Sequence, residues 1–278
     1  MNDLENIVVL ITGATDGIGR GTAAKFASLG AHVLLHGRSD QRLEDTKAAI
    51  AAETGNARLE TYRADFSSLS NVRRLADEVA AQHDGLDILI NNAGLGRGPR
   101  GNQQRETNAE GVELRFQVNH LAPFLLTHLL LPLLKARAPS RIVNVASASQ
   151  DTIDFDDVML EHGYTGTRAY SQSKLAMVMA TIEWALRLKS DGITVNSLHP
   201  GSLLDTKIVH EAWGAASGPV EIGIESEFYL ATSPDLESVS GQYFNEAHVA
   251  SAHPQADEAA VRERLWQLSE MLTGMNAE

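Results

Sequence analysis

Val8-Val9-Leu10-Ile11-Thr12-Gly13-Ala14-Thr15-Asp16-Gly17-Ile18-Gly19 is the stretch whose reading decides the fold. Residues 7–11 form an apolar, β-rich run, and a helical pattern starts as soon as the glycines end. A buried strand running into a glycine-rich turn that opens a helix is the context in which a dinucleotide is held. Glycine lacks the Cβ that would keep a backbone from turning tightly and from approaching a pyrophosphate. The helix that follows offers unpaired N–H groups and a positive dipole end to that anion. Gly13, Thr15, Asp16, Gly17, Ile18 and Gly19 are therefore the first candidate cofactor contacts. The spacing is Gly-x-x-x-Gly-x-Gly, not Gly-x-Gly-x-x-Gly.

The rhythm continues outward from this turn. Residues 33–36, 58–62, 88–90, 142–145 and 193–197 read as short strands, and 25–29, 43–52, 72–83 and 170–189 as helical. Strands alternating with long helices imply βαβ units and a parallel sheet. Strands that are apolar without alternation imply burial on both faces. The expectation is one α/β domain over 1–278: a doubly wound Rossmann-type fold with a mostly or wholly parallel central sheet of about seven strands and helices on both faces. The cofactor half should occupy about 5–150 and the catalytic and substrate half about 140–250, with an amphipathic helix at about 256–273. Ligands are expected at the carboxyl ends of the strands. Residues 96–111 and 206–221, rich in Gly and polar residues, read as loops, which is where specificity tends to reside.

The 278 residues carry a formal net charge of −13 and no cysteine. An acidic chain lacks the basic surface needed to neutralise nucleic-acid phosphates. Without cysteine there is no disulfide, thiolate nucleophile or thiolate metal site. Residues 1–5 lack a basic leader, and the apolar run 7–11 is too short for a signal or a membrane span, so a cytoplasmic protein is expected.

Further marks follow in order: Asn91-Asn92-Ala93-Gly94, Phe116-Gln117-Val118-Asn119-His120-Leu121, Ser147 after Ile142-Val143-Asn144-Val145-Ala146, Tyr170-Ser171-Gln172-Ser173-Lys174, and His199-Pro200-Gly201. Together with the turn's spacing, this set resembles the short-chain dehydrogenase/reductase family over roughly residues 5 to 250, most closely its retinol-dehydrogenase-like branch. The resemblance implies a catalytic set of Asn119, Ser147, Tyr170 and Lys174. It places Asp65 and Phe66 near the adenine and Asn92, Ala93 and Gly94 along the cofactor. It brings Pro200, Gly201 and Leu203 to the nicotinamide end; Thr206 lies one position later than the commonest spacing. It also implies a small-molecule carbonyl/alcohol substrate and a homodimer or homotetramer built on the helices that carry Asn119 and Tyr170, with Leu125, Leu129 and Leu133 available for that contact or for the core.

The second strand ends His36-Gly37-Arg38-Ser39. An acidic residue there would bond the ribose hydroxyls of NAD and repel an added phosphate. Arg38 instead offers a fixed cation with a donor fork, and Ser39 a hydroxyl. NADP(H) is expected over NAD(H), although Asp16 stands where many NADP-dependent relatives carry a basic residue.

Tyr170 and Lys174 are four apart and share one helical face. A free phenol titrates at about 10, and a neighbouring ammonium is expected to lower that value. The pair suits proton transfer at a carbonyl or alcohol oxygen while hydride moves on the cofactor. Ser147, at a strand end, is expected to hold the reacting oxygen. Tyr164 has Arg168, not Lys, four residues on and reads as a pocket-wall residue. The expected activity is NADP(H)-dependent interconversion of a carbonyl and an alcohol, with a small lipophilic or aromatic ketone or aldehyde as substrate. The competing reading is a non-catalytic NADP-binding sensor on the same fold, which predicts a damaged catalytic set.

Overall fold

The structure, a computed structural model, describes residues 4–102 and 104–275. Among these, eight strands form one sheet: β1 (Val8–Ile11), β2 (His32–Gly37), β3 (Leu59–Arg63), β4 (Ile88–Asn91), β5 (Ser140–Val145), β6 (Ile193–His199), β7 (Tyr243–Asn245) and β8 (His248–Val249). Their order is β3-β2-β1-β4-β5-β6-β7-β8. Every neighbouring pair is parallel except β7 and β8. The parallel sheet thus has seven strands, as expected, and a short antiparallel edge strand is added. The order reverses between β1 and β4, and this switch point opens the crevice at the carboxyl ends.

Adjacent strand residues point to opposite faces, which explains why the strands are apolar throughout. Leu10, Leu34, Leu89, Ile142 and Val195 pack on α3 (Leu69–Gln82), α5 (Ala122–Ala136) and α6 (Gly166–Arg187). Val9, Ile11, Val33, Leu35, Ile90 and Val143 pack on α1 (Gly17–Ser28), α2 (Asp40–Thr54) and α8 (Glu221–Thr232). Two covered faces make the doubly wound arrangement.

Local chemistry sets the helix starts. The Asp16 carboxylate accepts from the Gly17 N–H at 2.8 Å and caps α1. Ser39 caps α2 by accepting from the Arg42 N–H at 3.4 Å. Thr165 caps α6 by accepting from the Arg168 N–H, so that helix begins at Gly166, a turn earlier than its pattern around Tyr170 suggests. The short α7 (Lys207–Trp213) interrupts the expected loop at 206–221.

The apolar helix before β5 has three parts: α4 (Leu114–Phe116), a π-helical turn Gln117–Leu121, and α5. Asn119 sits in the π turn, the kind of helix defect that recurs at functional sites. The span Leu114–Ala136 is long and apolar enough to cross a membrane, yet most of it lies inside the fold. Leu125 and Leu133 are buried, and Leu129 packs against the same core. The C-terminal helix α9 (Ala259–Thr273) lies over α6: Trp266 packs on Trp184 and Phe124 at 4.6 and 4.9 Å between centroids. The largely buried Arg262 Nε donates to Glu183 at 2.8 Å. Part of the helical surface expected between subunits is thus covered by the chain's own α9.

Candidate active site

A cavity of about 490 Å³ runs along the carboxyl ends of the strands. Its floor is the glycine-rich turn. Gly13 has φ +69°, and a Cβ there would lie 2.9 Å from Ala93 Cα. A Cβ at Gly19 would lie 2.3 Å from Asn92 Nδ2 and 2.6 Å from the Gly13 carbonyl oxygen, so the turn and the 91–94 segment close on each other only because both positions lack side chains. Asn92 Nδ2 donates to the Thr12 carbonyl at 2.7 Å, and the Ala93 N–H donates to Thr12 Oγ1 at 2.9 Å.

His36 gives the turn its second anchor, one the sequence reading did not assign. The Gly13 N–H donates to Nδ1 at 3.2 Å, and Nε2 lies 3.1 Å from the Ala64 carbonyl. An Nδ1 that accepts leaves the proton on Nε2. Burial lowers this imidazole to about 4, which agrees with a neutral ring. Its stacking on Phe66, 4.3 Å between centroids, ties the ends of β2 and β3 together beside Asp65. Asp65 accepts from the Ser67 N–H at 3.0 Å, and Asp65, Phe66 and Ser67 all line the cavity.

At the end of β2, Arg38 lines the cavity with no side-chain hydrogen bond or ion pair among the described residues. Arg42, also unassigned from the sequence, lines it too, donating to the Thr15 carbonyl at 3.1 Å and to Asp16 at 3.0 Å. The acidic residue that argued against a phosphate site is thus engaged by a second arginine. Ser39 is not among the lining residues, being used as the α2 cap. Leu203 does not line the cavity either: its strained backbone, φ 51°, turns Leu204 inward instead. Thr206 lines the cavity, and its methyl group lies 3.4 Å from where a Gly17 Cβ would be.

Tyr170, Lys174 and Ser147 meet at the other end of the cavity. Ser147 Oγ accepts from the Ser149 N–H at 3.0 Å and shares the cavity wall with Tyr170. Ser149 is occupied with Ser171 Oγ at 2.8 Å. Lys174 Nζ donates to the Val145 carbonyl at 2.6 Å and lies 5.8 Å from the Tyr170 ring centroid. Asn119 does not line the cavity. Its Oδ1 accepts from the Leu95 N–H at 2.7 Å, its amide donates to Ser173 Oγ at 2.9 Å, and a Cβ on Gly94 would fall 3.2 Å from it and 3.5 Å from Lys174 Nζ. Asn119 thus fixes the chain segment that borders the lysine.

The titration of the pair departs from the sequence expectation. Burial raises the Tyr170 phenol; the Ser147 hydrogen bond and the Arg97 charge oppose this, and Lys174 has no resolved part in it. The ammonium points to a carbonyl rather than at the phenol oxygen, so desolvation wins. Burial likewise lowers Lys174, to about 8, with the charge of Glu227 opposing.

Glu227 is a buried acid that the sequence reading missed. Thr22 Oγ1 donates to its Oε2 at 2.8 Å, and its Oε1 has no partner among the described residues. Burial raises this carboxyl to about 8, against the Thr22 hydrogen bond and the Lys174 charge. Folded protein then keeps a proton that the unfolded chain releases in the ordinary carboxylate range. Stability attributable to this group is full at low pH and declines as pH rises toward about 8. Glu227→Gln should melt with wild type at pH 5 and above it at pH 8; parallel melting temperatures at both would refute the assignment.

The residues from 7 to 216 match the family described as short chain dehydrogenase. The chain belongs to the short-chain dehydrogenase/reductase family. Within this family it sits in the retinol-dehydrogenase-like branch. It is 38% identical to human retinol dehydrogenase 14 over 96% of this chain and 86% of that protein. It is 37% identical to human retinol dehydrogenase 13 over 97% and 85%. A short-chain dehydrogenase of Shigella flexneri, complexed with NADP, superposes with a TM-score of 0.72 at 27% identity, covering 88% of this chain and 99% of that one. This short-chain dehydrogenase is accordingly an oxidoreductase of the alcohol/carbonyl class, and its cavity fits a dinucleotide. The glycine turn offers a backbone cradle that a Cβ would fill, and Arg38, unpaired among the described residues, lines the same cavity at the end of β2.

Proposed function

We propose that this short-chain dehydrogenase reduces a small lipophilic ketone or aldehyde with NADPH, with Tyr170 as the proton donor. The observation that carries the reading is the joining of Ser147, Tyr170 and Lys174 to the glycine-rich turn in one cavity, with unpaired Arg38 at its far end. Gly13, Thr15, Asp16, Gly17, Ile18, Asn92 and Ala93 would hold the dinucleotide, and Arg38 its extra phosphate. Held there, the nicotinamide would supply hydride chemistry next to Tyr170 and Ser147.

The chain's own groups do the rest. Burial keeps the Tyr170 phenol protonated at neutral pH, which suits a general acid better than a general base and supports the reducing direction. Ser147, on the same cavity wall, would turn its single O–H to the substrate oxygen. Lys174, largely protonated at pH 7, supplies positive charge behind the tyrosine as that oxygen gains electrons. Leu95, Leu114, Val118, Ile208 and Val209 give the substrate end apolar walls.

The test is the initial rate of NADPH and, separately, NADH oxidation by the purified protein over a panel of ketones and aldehydes. Faster consumption of NADPH with any carbonyl supports the reading. Tight NADPH binding with no turnover on any member of the panel would favour a sensor instead.

A further inference from the structure

The sheet lets go of the chain just before Ser147. β5 ends at Val145, and the last bond to a neighbouring strand runs from the Ala146 N–H to the Leu198 carbonyl at 2.8 Å. Among the described residues no backbone N–H reaches the Ser147 carbonyl. Two side chains take over. Tyr243 of β7 donates its O–H to that carbonyl at 3.1 Å, and Gln150 donates to the same oxygen from Nε2 at 2.9 Å. A carbonyl oxygen has two lone pairs, so these donors use its full capacity.

Both donors are themselves fixed. Tyr243 is buried, pairs with Ser197 of β6, and lies in one apolar cluster with Ala146, Ala176 and Met177. Burial pushes its phenol up to about 12, so it remains an O–H donor at neutral pH. Gln150 Oε1 accepts from the His253 N–H at 2.8 Å, and Gln255 Oε1 accepts in return from the Ile153 N–H at 2.7 Å. The two glutamines clasp the segment after β5 to the segment after β8. The hydroxyl of Ser147 belongs to the same turn, because its Oγ accepts from the Ser149 N–H. Swinging the Ser147 carbonyl is a change in ψ of that residue, which carries the Ser149 N–H away from Oγ. Displacing a reacting group by about 1 Å can cost about 10²-fold in rate.

We infer that Tyr243 and Gln150 are positioning residues for Ser147: by holding its carbonyl they fix the turn that aims its hydroxyl at the reacting oxygen. This rests on the oxidoreductase reading above and deepens it. Neither residue lines the cavity, so both act through Ser147. The segment between Ser147 and Tyr170 thereby gains a use, since its first residues carry one donor and receive the clasp from the chain's last third.

The variants are Tyr243→Phe and Gln150→Glu, singly and together. Each removes one donor with little change of shape, and the second keeps an acceptor for the His253 N–H. Hydrogen exchange of the Ser149 amide, followed by NMR, reports the turn without any substrate. It should quicken in each variant while the amides of β5 and β6 keep their wild-type rates. With NADPH and the best carbonyl of the panel, each single variant should lower kcat by about 2–10-fold, the span of one neutral hydrogen bond. The double variant should lose more than the product, because either donor alone still holds the carbonyl. NADPH affinity should stay within about two-fold, as neither side chain touches the cavity. In a Ser147→Ala background Tyr243→Phe should have no further effect on kcat. A full effect that persists there, unchanged Ser149 exchange, or unchanged kcat in both single variants would each overturn the inference; if the double variant does not fold, the single variants and the Ser147→Ala background decide it. Faster Ser149 exchange in the variants of a protein that turns over no carbonyl would uphold the hold on Ser147 and count against the reductase reading instead.

Discussion

Tyr170→Phe is expected to lower kcat/KM for carbonyl reduction by about 10²–10⁴-fold, the span that general acid–base catalysis covers. Dissociation constants for NADPH should stay within a few-fold of wild type. The substitution removes one oxygen from a buried ring and leaves the ring's packing in place, so a folding defect is not the expected cause. Ser147 would keep the Ser149 N–H as a donor to its oxygen. Lys174 would keep its bond to Val145. The rest of the site should therefore stand. The comparison with Lys174→Ala separates the roles. That variant leaves the proton in place, removes the positive charge, and abandons the Val145 carbonyl, so both cofactor affinity and turnover should fall. Unchanged turnover in Tyr170→Phe would remove the proposed mechanism altogether. Turnover lost together with cofactor binding would mean that the phenol organises the cavity rather than the chemistry.

How much of this was legible in the sequence depends on the range of the interaction involved. The glycine turn and the Tyr170–Lys174 pair are local patterns: a strand running into glycines, and two residues four apart on a helix. Both were readable, and both lie in the cavity. The strand sequence followed from apolar runs, and the order β3-β2-β1-β4-β5-β6-β7 is what right-handed βαβ winding from a switch point produces. Contacts between distant segments were not readable. His36 reads as one more residue of an apolar strand; only the fold brings Gly13 to one side of its ring and Ala64 to the other. Arg42 lies on a helix face that looks solvent-exposed until Asp16 arrives beside it. The guanidinium of Arg97 lies over the Trp213 ring, a contact between two segments that the sequence marks only as irregular.

Two local details that the sequence did not show have the same origin at shorter range. Ser39 and Leu203 were chosen by position relative to a strand end. The backbone then spent Ser39 on a helix cap and turned Leu204, not Leu203, toward the cavity. The expectation for the phenol failed for an electrostatic reason. Four-residue spacing places two side chains on one face, but the tip of a lysine goes where an acceptor is. Here that acceptor is the Val145 carbonyl.

Arg38→Asp carries the second large effect. The change removes a guanidinium that has no partner among the described residues and puts a carboxylate where a 2′-phosphate would sit. Loss of a charge-assisted contact alone is worth about 10–100-fold in kcat/KM for NADPH, and like-charge repulsion adds to it. The new carboxylate can accept from the ribose hydroxyls of NADH, so the NADH value should rise as the NADPH value falls and the preference should invert. Arg42 is the reason the experiment needs a companion. It lines the same end of the cavity, but its fork is committed to Asp16 and to the Thr15 carbonyl. If Arg38 reads the phosphate, Asp16→Asn should have a small effect, because Arg42 remains tethered to Thr15. If Arg38→Asp leaves the NADPH/NADH ratio unchanged while Arg42→Ala collapses it, the phosphate is read by Arg42. The Asp16 carboxylate would then be the group that sets how strongly. Unchanged ratios in both variants would leave this end of the cavity indifferent to the phosphate, and the NADP assignment would fall with it.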